Sequence, residues 1–417
     1  MKLIADLHIH SRYSRATSPE MNIDSLSKYA KMKGLNLLGT GDYTHPSQMT
    51  DMKRLLKRDS ETGFYVHNGM NFIPSTEVSL IYTQNGKGYR VHQCIVSPDI
   101  ETAEQITAWL NTKGRVDYDG RPIFKIPSPE FVEKVMEINK DNFVFPAHIY
   151  TPWFSMFGSE SGFNSAEECF GDQIKHIHAI ETGLSSDPAM NWRLSQLDRF
   201  CCISNSDCHS PWPNRLGREA NVFELAKPSL KSMLNAIKTK NKSEFLYTIE
   251  TSPLYGKYHY DGHRACNVCL SPSESIAQKN ICPKCNKGLT IGVEHRVEEL
   301  ADRPVGFIPK HAIPFKSILP LQEIISAIYL TAVGTKTVSR VFDAIMAKFP
   351  NELNILLDAS EEALCQHVDR RLARAIMLNR EGNVTVKPGY DGEYGVPEFP
   401  KDLNLGKPTK QKSLGEF

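Results

Sequence analysis

The chain has 417 residues, 40% of them hydrophobic and 23% charged, with a formal net charge of +1. This composition excludes a disordered tail protein, a collagen-like fibre and a coiled-coil rod. The near-neutral balance excludes a uniformly basic nucleic-acid coat but leaves room for a local basic groove.

At roughly 100–200 residues per domain the length corresponds to two or three domains. No apolar run reaches the roughly 18 residues that a membrane helix needs. The longest, 318–333, is interrupted by Gln322 and Glu323. The opening MKLIADLHIHS carries Asp6 and His8 too early for a signal peptide. A soluble cytoplasmic protein is expected.

In chain order, residues 1–252 alternate apolar runs with helical periodicity, which predicts an α/β unit with a mainly parallel sheet. Seven runs have strand length: 2–8, 35–40, 71–75, 90–96, 143–146, 177–180 and 200–204. IYTQNGKGYRVHQCIV holds Asn85-Gly86 between two strand-like flanks, so one pair is expected to be an antiparallel hairpin. Long loops are expected at 117–129, rich in turn formers, and at 151–162, rich in aromatics. Residues 253–305 form a short, turn-rich module with paired cysteines, and 306–417 a helical module. Its helices are expected over 320–378, punctuated by Gly334, Pro350 and Asp358. The tail from Asn383 is expected to be partly disordered.

Each of the seven runs ends at or near a metal-ligating side chain. They are Asp6, His8 and His10; Asp42 and His45; Glu77; His92; His148; Glu181; and Asp207 with His209. In a parallel barrel the C-terminal strand ends converge on one face, so these groups would share a small space. His8 and His10 are alternate residues and lie on one face of a strand. A lone histidine near a strand end is ordinarily a core or surface residue, and His67, His176 and His178 take that reading. Mixed imidazole and carboxylate ligands suit Zn²⁺, Mn²⁺ or Fe²⁺. Glu77 is the natural carboxylate to bridge two ions, and such centres support in-line phosphoryl displacement.

The ten cysteines fall into two groups. Cys94, Cys169, Cys201, Cys202, Cys208 and Cys365 are scattered and read as reduced core thiols. Cys266, Cys269, Cys282 and Cys285 form two C-x-x-C pairs with twelve residues between them. Four thiolates satisfy a closed, structural Zn²⁺ site of the ribbon kind. Nothing nearby resembles a thioredoxin unit, which disfavours a redox pair.

DLHIHS, GDYTH, a central Glu and SDCH resemble the motifs of the polymerase-and-histidinol-phosphatase (PHP) family of metallophosphoesterases. The resemblance implies an α/β fold built as a distorted seven-stranded (β/α) barrel, with a zinc ribbon and a helical module added here. It also implies two or three divalent ions in the barrel (Zn²⁺, Mn²⁺ or Mg²⁺) and phosphoester hydrolysis. By the family pattern His8, His10, Glu77 and Asp207 hold one ion, and Glu77, His92 and His148 a second. Asp42 and His209 hold a third with help from His45. The chain departs from the family there, because Tyr43 stands where the pattern T-D-H has histidine. Glu181 and Asp6 are weaker candidate ligands, and Asp6 is alternatively a partner orienting a ligand histidine.

LTAVGTKTVSRVFDAI resembles a helix-hairpin-helix, whose turn and helix N-terminus would meet a DNA backbone aided by Lys336 and Arg340. A helix pair used only for packing is the competing reading. The run Arg370, Arg371, Arg374 and Arg380 reads as a solvated basic face. ADLHIHSRYSRATSPEMN, GTGDYTHP, the cysteine element followed by EHRVEELADRP, and VGTKTV resemble the DNA-repair branch of the same family. That resemblance covers most of the chain. It implies cleavage 5′ to deaminated bases (hypoxanthine, uracil, xanthine) and abasic sites, leaving a 3′-hydroxyl and a 5′-phosphate.

On this reading Arg15 and Arg218 bind phosphate beside the catalytic Asp207 and Glu77. Trp153, Phe154 and Phe157 wall a pocket for an extruded base, or else plug the barrel rim. DNA is the expected partner, with a sliding clamp as a further one, and the protein is expected to be a monomer at the nucleoid. Two alternatives stand beside this: a phosphatase of small phosphomonoesters, and a non-enzymatic nucleic-acid binder on a relic barrel.

Overall fold

The structure, a computed structural model, describes residues 1–405. It is a mixed α/β protein with fourteen α-helices among the described residues. All seven expected runs form strands: Lys2–Asp6, Leu37–Gly39, Met70–Ile73, Lys87–Val96, Phe143–Pro146, Ala179–Glu181 and Cys201–Ile203. Lys2–Asp6, Leu37–Gly39 and Met70–Ile73 pair in parallel, and Ala179–Glu181 pairs in parallel with Cys201–Ile203. Ser75–Gln84 and Lys87–Val96 make the expected hairpin, with Asn85 and Gly86 both at positive φ (50° and 77°) in its turn. Antiparallel pairing goes further than expected, because Ala220–Glu224 and Phe245–Glu250 extend the first sheet on its other side.

Backbone hydrogen bonds carry the chain from one sheet to the next. Ile149 N–H donates to Glu181 O at 3.2 Å, Thr182 N–H to Ile203 O at 3.0 Å, and Asp207 N–H to His8 O at 2.9 Å. One apolar cluster draws alternate residues from all of these strands: Leu3 and Ala5, Leu37, Ile73, Cys94 and Val96, Phe143 and Phe145, Ala179, Cys201 and Ile203. Residues two apart in a strand share a face, so these strands turn one face toward a common interior. A larger cluster packs their other faces against the helices.

The loop expected at 117–129 is partly ordered, with a short strand Ile123–Phe124 pairing with Ser75–Gln84 and a helix beginning at Ser128. The helices expected over 320–378 are present as Leu321–Ile328, Lys336–Met346, Glu352–Leu357, Glu361–Cys365 and Arg370–Arg380. The strand Phe315–Ser317 that precedes them joins the large sheet beside Phe245–Glu250. The tail departs from expectation: Thr385–Lys387 and Val396–Glu398 pair with each other, and Gly389 N–H donates to Leu254 O at 2.8 Å. Residues 406–417 of the expected disordered tail lie outside the described residues. No helix among the described residues is long and apolar enough to cross a membrane.

Candidate metal centre

The strand Lys2–Asp6 continues through Leu7 to the H-x-H pair. His8 and His10 turn their Nε2 atoms toward the same point, where Glu77 and Asp207 also arrive. His10 Nε2 lies 3.1 Å from Glu77 Oε2 and 3.1 Å from Asp207 Oδ1, and His8 Nε2 lies 3.5 Å and 3.7 Å from the same atoms. A second group forms on the other oxygen of Glu77. His92 Nδ1 is 2.6 Å and His148 Nε2 3.2 Å from Glu77 Oε1. One buried carboxylate thus faces both groups, as expected of a bridging ligand.

His8 Nε2, His10 Nε2 and Asp207 Oδ1 are buried and have no hydrogen-bond partner. Buried polar atoms left unpaired cost about 1–3 kcal/mol each. A divalent cation satisfies all three at once, and imidazole nitrogen with carboxylate oxygen is a donor set that Zn²⁺ and Mn²⁺ accept. The residues present therefore fit the expected ions.

Each ligand is held by a neighbour. Glu181 meets His8 Nδ1 at 3.0 Å, accepts from His148 N–H at 2.8 Å and accepts from Asn205 at 2.9 Å. It orients two ligand histidines and belongs to neither ligand group. Ser155 Oγ lies 3.1 Å from His148 Nδ1. Arg121, which sequence reasoning missed, donates to Glu77 Oε2 at 3.1 Å from the 117–129 loop. An arginine in a surface-like loop carries no signal that it will fold onto a ligand. Burial opposes charge on Glu77, yet His92 and Arg121 outweigh it and hold this carboxyl well below the usual range. Burial pushes His92 down to about 4, so it is a neutral donor. Asp42, His148 and Asp207 all hold left-handed backbone (φ 49°, 30° and 45°), strain of the kind that collects at functional sites.

Several expectations need correction. Asp42 does not join His45 and His209 in a third ligand group among the described residues. Its oxygens are taken by His10 Nδ1 (3.0 Å), Ser11 N–H (2.6 Å) and Ser11 Oγ (2.7 Å), so it orients His10. His45 caps the helix Pro46–Leu55 and stacks on Tyr13 at 4.8 Å. His209 sits at the rim, its ring 4.5 Å from that of His10. Asp6 orients no ligand histidine. It accepts from Ser206 N–H (3.0 Å) and Gly217 N–H (3.1 Å), which fixes the loop carrying Asp207.

Phe157 is fully buried against Tyr150 and does not line the cavity beside the centre. Phe154 packs on His92 at 5.0 Å, and Trp153 meets Tyr258 edge-on at 5.7 Å. Arg15 is exposed beside Asp119 at 3.5 Å. Arg380 leaves the solvated run, because it donates to the carbonyls of Ile355 and Leu356 at 2.9 Å.

A cavity of about 300 Å³ opens beside the centre. The first unit contributes His148, Ser206, Asp207, His209 and Arg218; the cysteine-bearing stretch contributes Tyr258, His259 and Val293, and the C-terminal segment Tyr394. Ser206 Oγ, Asp207 Oδ1, Arg218 Nε and His259 Nδ1 in this lining are buried without partners. Lys336 and Arg340 lie exposed on the helix Lys336–Met346, after the Gly334 turn.

The cysteine module gathers His263, Cys266, Cys282 and Cys285, with ligand atoms within 4.8 Å of one another. Cys269 is not in this group, contrary to expectation. It lies on the strand Val268–Leu270 opposite Gly262. Pair-counting of cysteines overlooks His263, although H-x-x-C repeats the spacing of C-x-x-C. A mixed sulfur–nitrogen set of four is as suitable for tetrahedral Zn²⁺ as four sulfurs.

Fold and site together define a mixed α/β protein with a candidate metal centre of two ligand groups sharing Glu77. The family model described as the MJ0043 C-terminal domain matches residues 320–383. The uncharacterized protein MJ0043 of Methanocaldococcus jannaschii is 32% identical over 255 residues, 60% of this chain, and the match spans 31% of that longer protein. The uncharacterized protein YqxK of Bacillus subtilis is 27% identical over 408 residues, covering 94% of this chain and 98% of that one. The lesion-specific endonuclease PfuEndoQ from Pyrococcus furiosus superimposes with a TM-score of 0.87 at 30% identity, covering 98% of both chains. Endonuclease Q bound to a 27-mer duplex with an abasic lesion at its active site gives 0.86 at 29%, covering 98% of this chain and 99% of that one. The chain belongs to the endonuclease Q family.

Proposed function

We propose that this protein is a metal-dependent DNA-repair endonuclease that nicks a strand on the 5′ side of a lesion. Its substrates are deaminated bases (hypoxanthine, uracil, xanthine) and abasic sites, and its products are a 3′-hydroxyl and a 5′-phosphate. The observation that carries this is the pair of ligand groups sharing Glu77, set beside a cavity of about 300 Å³ with unpaired polar lining.

On this reading residues 1–252 are the distorted seven-stranded barrel, 253–305 a zinc module and 306–417 a DNA-binding helical module. Divalent ions bound at Glu77 would lower the pKa of water and neutralise charge growing on the phosphate oxygens. The chain's own residues do the rest. His8, His10 and Asp207 frame one side of Glu77, and His92 and His148 the other. Arg121 keeps Glu77 ionised and in place. Arg218, on the cavity wall, would meet a phosphate or sugar oxygen, and Arg15, exposed beside Asp119, would meet a phosphate of the bound strand.

An extruded nucleotide enters the cavity, with Tyr258 and Tyr394 as its aromatic walls in place of the expected Trp153, Phe154 and Phe157. Lys336 and Arg340 would meet duplex backbone beyond it.

The test is a digest of end-labelled duplexes carrying one uracil, hypoxanthine, abasic site or no lesion, with Mg²⁺, Mn²⁺ or Zn²⁺. The expected result is a nick 5′ to the lesion in the damaged strands alone. Turnover of a free phosphomonoester with every duplex intact would point to the small-molecule phosphatase instead.

A further inference from the structure

We propose that Arg296 is a positioning residue for the second ligand group: from the helix that follows the cysteine pairs it fixes the 151–163 loop, which holds His92 and His148 in place. The inference concerns the ion held by that group and not the choice of lesion. Loops are the more mobile parts of a fold, because little of their backbone is paired within them. Ligands that lean on a loop are only as ordered as whatever ties the loop down.

The loop touches both histidines of the group. Ser155 Oγ donates to His148 O at 2.7 Å, so toward His148 Nδ1, 3.1 Å away, it acts as an acceptor. That keeps the ring proton on Nδ1 and leaves the Nε2 lone pair facing Glu77, where an ion would sit. His92 N–H donates to Phe154 O at 3.0 Å, and the Phe154 ring packs on the His92 ring. Phe154 itself has φ 63°, a conformation that a bulky residue keeps only when its surroundings impose it.

Arg296 supplies the restraint. It lies on the helix Val293–Leu300, and its side chain is only 12% exposed. Its Nε donates to Phe157 O at 3.1 Å, and one terminal nitrogen donates to Phe163 O at 2.9 Å and Asn164 Oδ1 at 2.7 Å. Glu299 Oε2 accepts from the other terminal nitrogen at 2.9 Å. One planar fork of donors thus ties together both ends of the turn 157–163, a grip that the single nitrogen of a lysine does not reproduce. The helix is fastened in turn to the cysteine module. Buried Asp261, on the strand Asp261–His263, accepts from Gly292 N–H at 2.6 Å and meets His295 Nδ1 at 2.5 Å. The module is therefore braced against the group of His92 and His148, whereas His8, His10 and Asp207 of the first group come from other segments.

The experiment titrates Mn²⁺ into protein that keeps the zinc of its cysteine module and follows the bound ions by paramagnetic resonance. Two Mn²⁺ ions bridged by one carboxylate couple magnetically, so filling of the second position has its own signal. In Arg296→Gln the second Mn²⁺ is expected to bind at least about tenfold more weakly, the scale of losing a group that orients a ligand. The first should stay within about threefold of wild type, and Arg296→Lys should fall between. Lys33→Ala breaks a buried pair with Glu352 elsewhere in the fold and should bind both ions as wild type does. Equal weakening of both ions in Arg296→Gln, or no weakening, would overturn the proposal. Should Arg296→Gln fold poorly by melting temperature, Ser155→Ala carries the test from the other end of the same loop. The same selective loss is expected there, and unchanged binding of the second ion would overturn the proposal. A wild type that takes up a single barrel ion would overturn it together with the two-ion centre, whatever its action on DNA.

Discussion

At the scale of single residues, function is written in the atoms that lack partners. Burial of His8 Nε2, His10 Nε2 and Asp207 Oδ1 is unfavourable unless a cation completes them. Asp207→Ala is expected to abolish nicking and leave duplex affinity nearly unchanged, because Asp207 faces the ligand group and no helical-module contact. Nicking at the wild-type rate by this variant would refute the site.

The H-x-H pair and the bridging role of Glu77 could be read in the sequence, because alternate residues of a strand share a face. The orienting roles of Glu181, Asp42 and Arg121 could not. Ligands and the residues that hold them are the same amino-acid types, and distances alone separate them.

A buried acid outside the metal groups gives a second prediction. Burial raises Glu250 from 4.5 to about 8, although Thr248 and Thr182 donate to it. The folded chain therefore holds a proton that the unfolded chain releases. The associated stability is complete below about pH 4.5 and is lost as pH rises through about 8. Glu250→Gln should flatten the fall in melting temperature between pH 5 and 9, and unchanged slopes would contradict this.

Among the elements, the strands and helices followed apolar periodicity closely, whereas the small module did not follow cysteine counting. His263 ends one strand of a hairpin and Cys266 lies in its turn, followed by Asn267 at φ 51°. Cys282 and Cys285 repeat this arrangement, followed by Asn286 at φ 59°, and an Ile281–Gly288 bridge closes that turn. Two like turns therefore present one ligand at the strand end and one in the turn, which leaves Cys269 on the far strand. Zinc content should fall and the melting temperature should drop by several degrees in Cys282→Ser. Cys269→Ser should retain one zinc per chain in this module. Loss of that zinc in Cys269→Ser would restore the four-thiolate reading. The 383–405 segment was misread for a related reason: Gly389 and Gly395 donate their backbone N–H groups to Leu254 O and Tyr255 O and tie it down.

For the whole molecule, the helical module is tied to the first unit by a buried ion pair. Lys33 Nζ lies 2.9 Å from Glu352 Oε1 and donates to Pro213 O, and Glu352 also accepts from Leu321 N–H. Removing one partner strands the other charge, at a cost of about 3–5 kcal/mol. Lys33→Ala should lower stability on that scale in denaturant titrations, and a change below about 1 kcal/mol would show the pair to be dispensable. The sequence suggested separate modules, but contacts so distant in the chain leave no periodic trace.

The central claim is that buried imidazoles and carboxylates from distant strands act through divalent ions to cut a damaged strand. It is tested most directly by stripping the protein with chelator and following cleavage of a duplex with one abasic site as Mn²⁺ or Zn²⁺ is returned. Cleavage should vanish with the ions and come back with at least two barrel ions per chain, beyond the zinc of the cysteine module. Undiminished cleavage by fully stripped protein, or no cleavage at any ion content, would contradict the account.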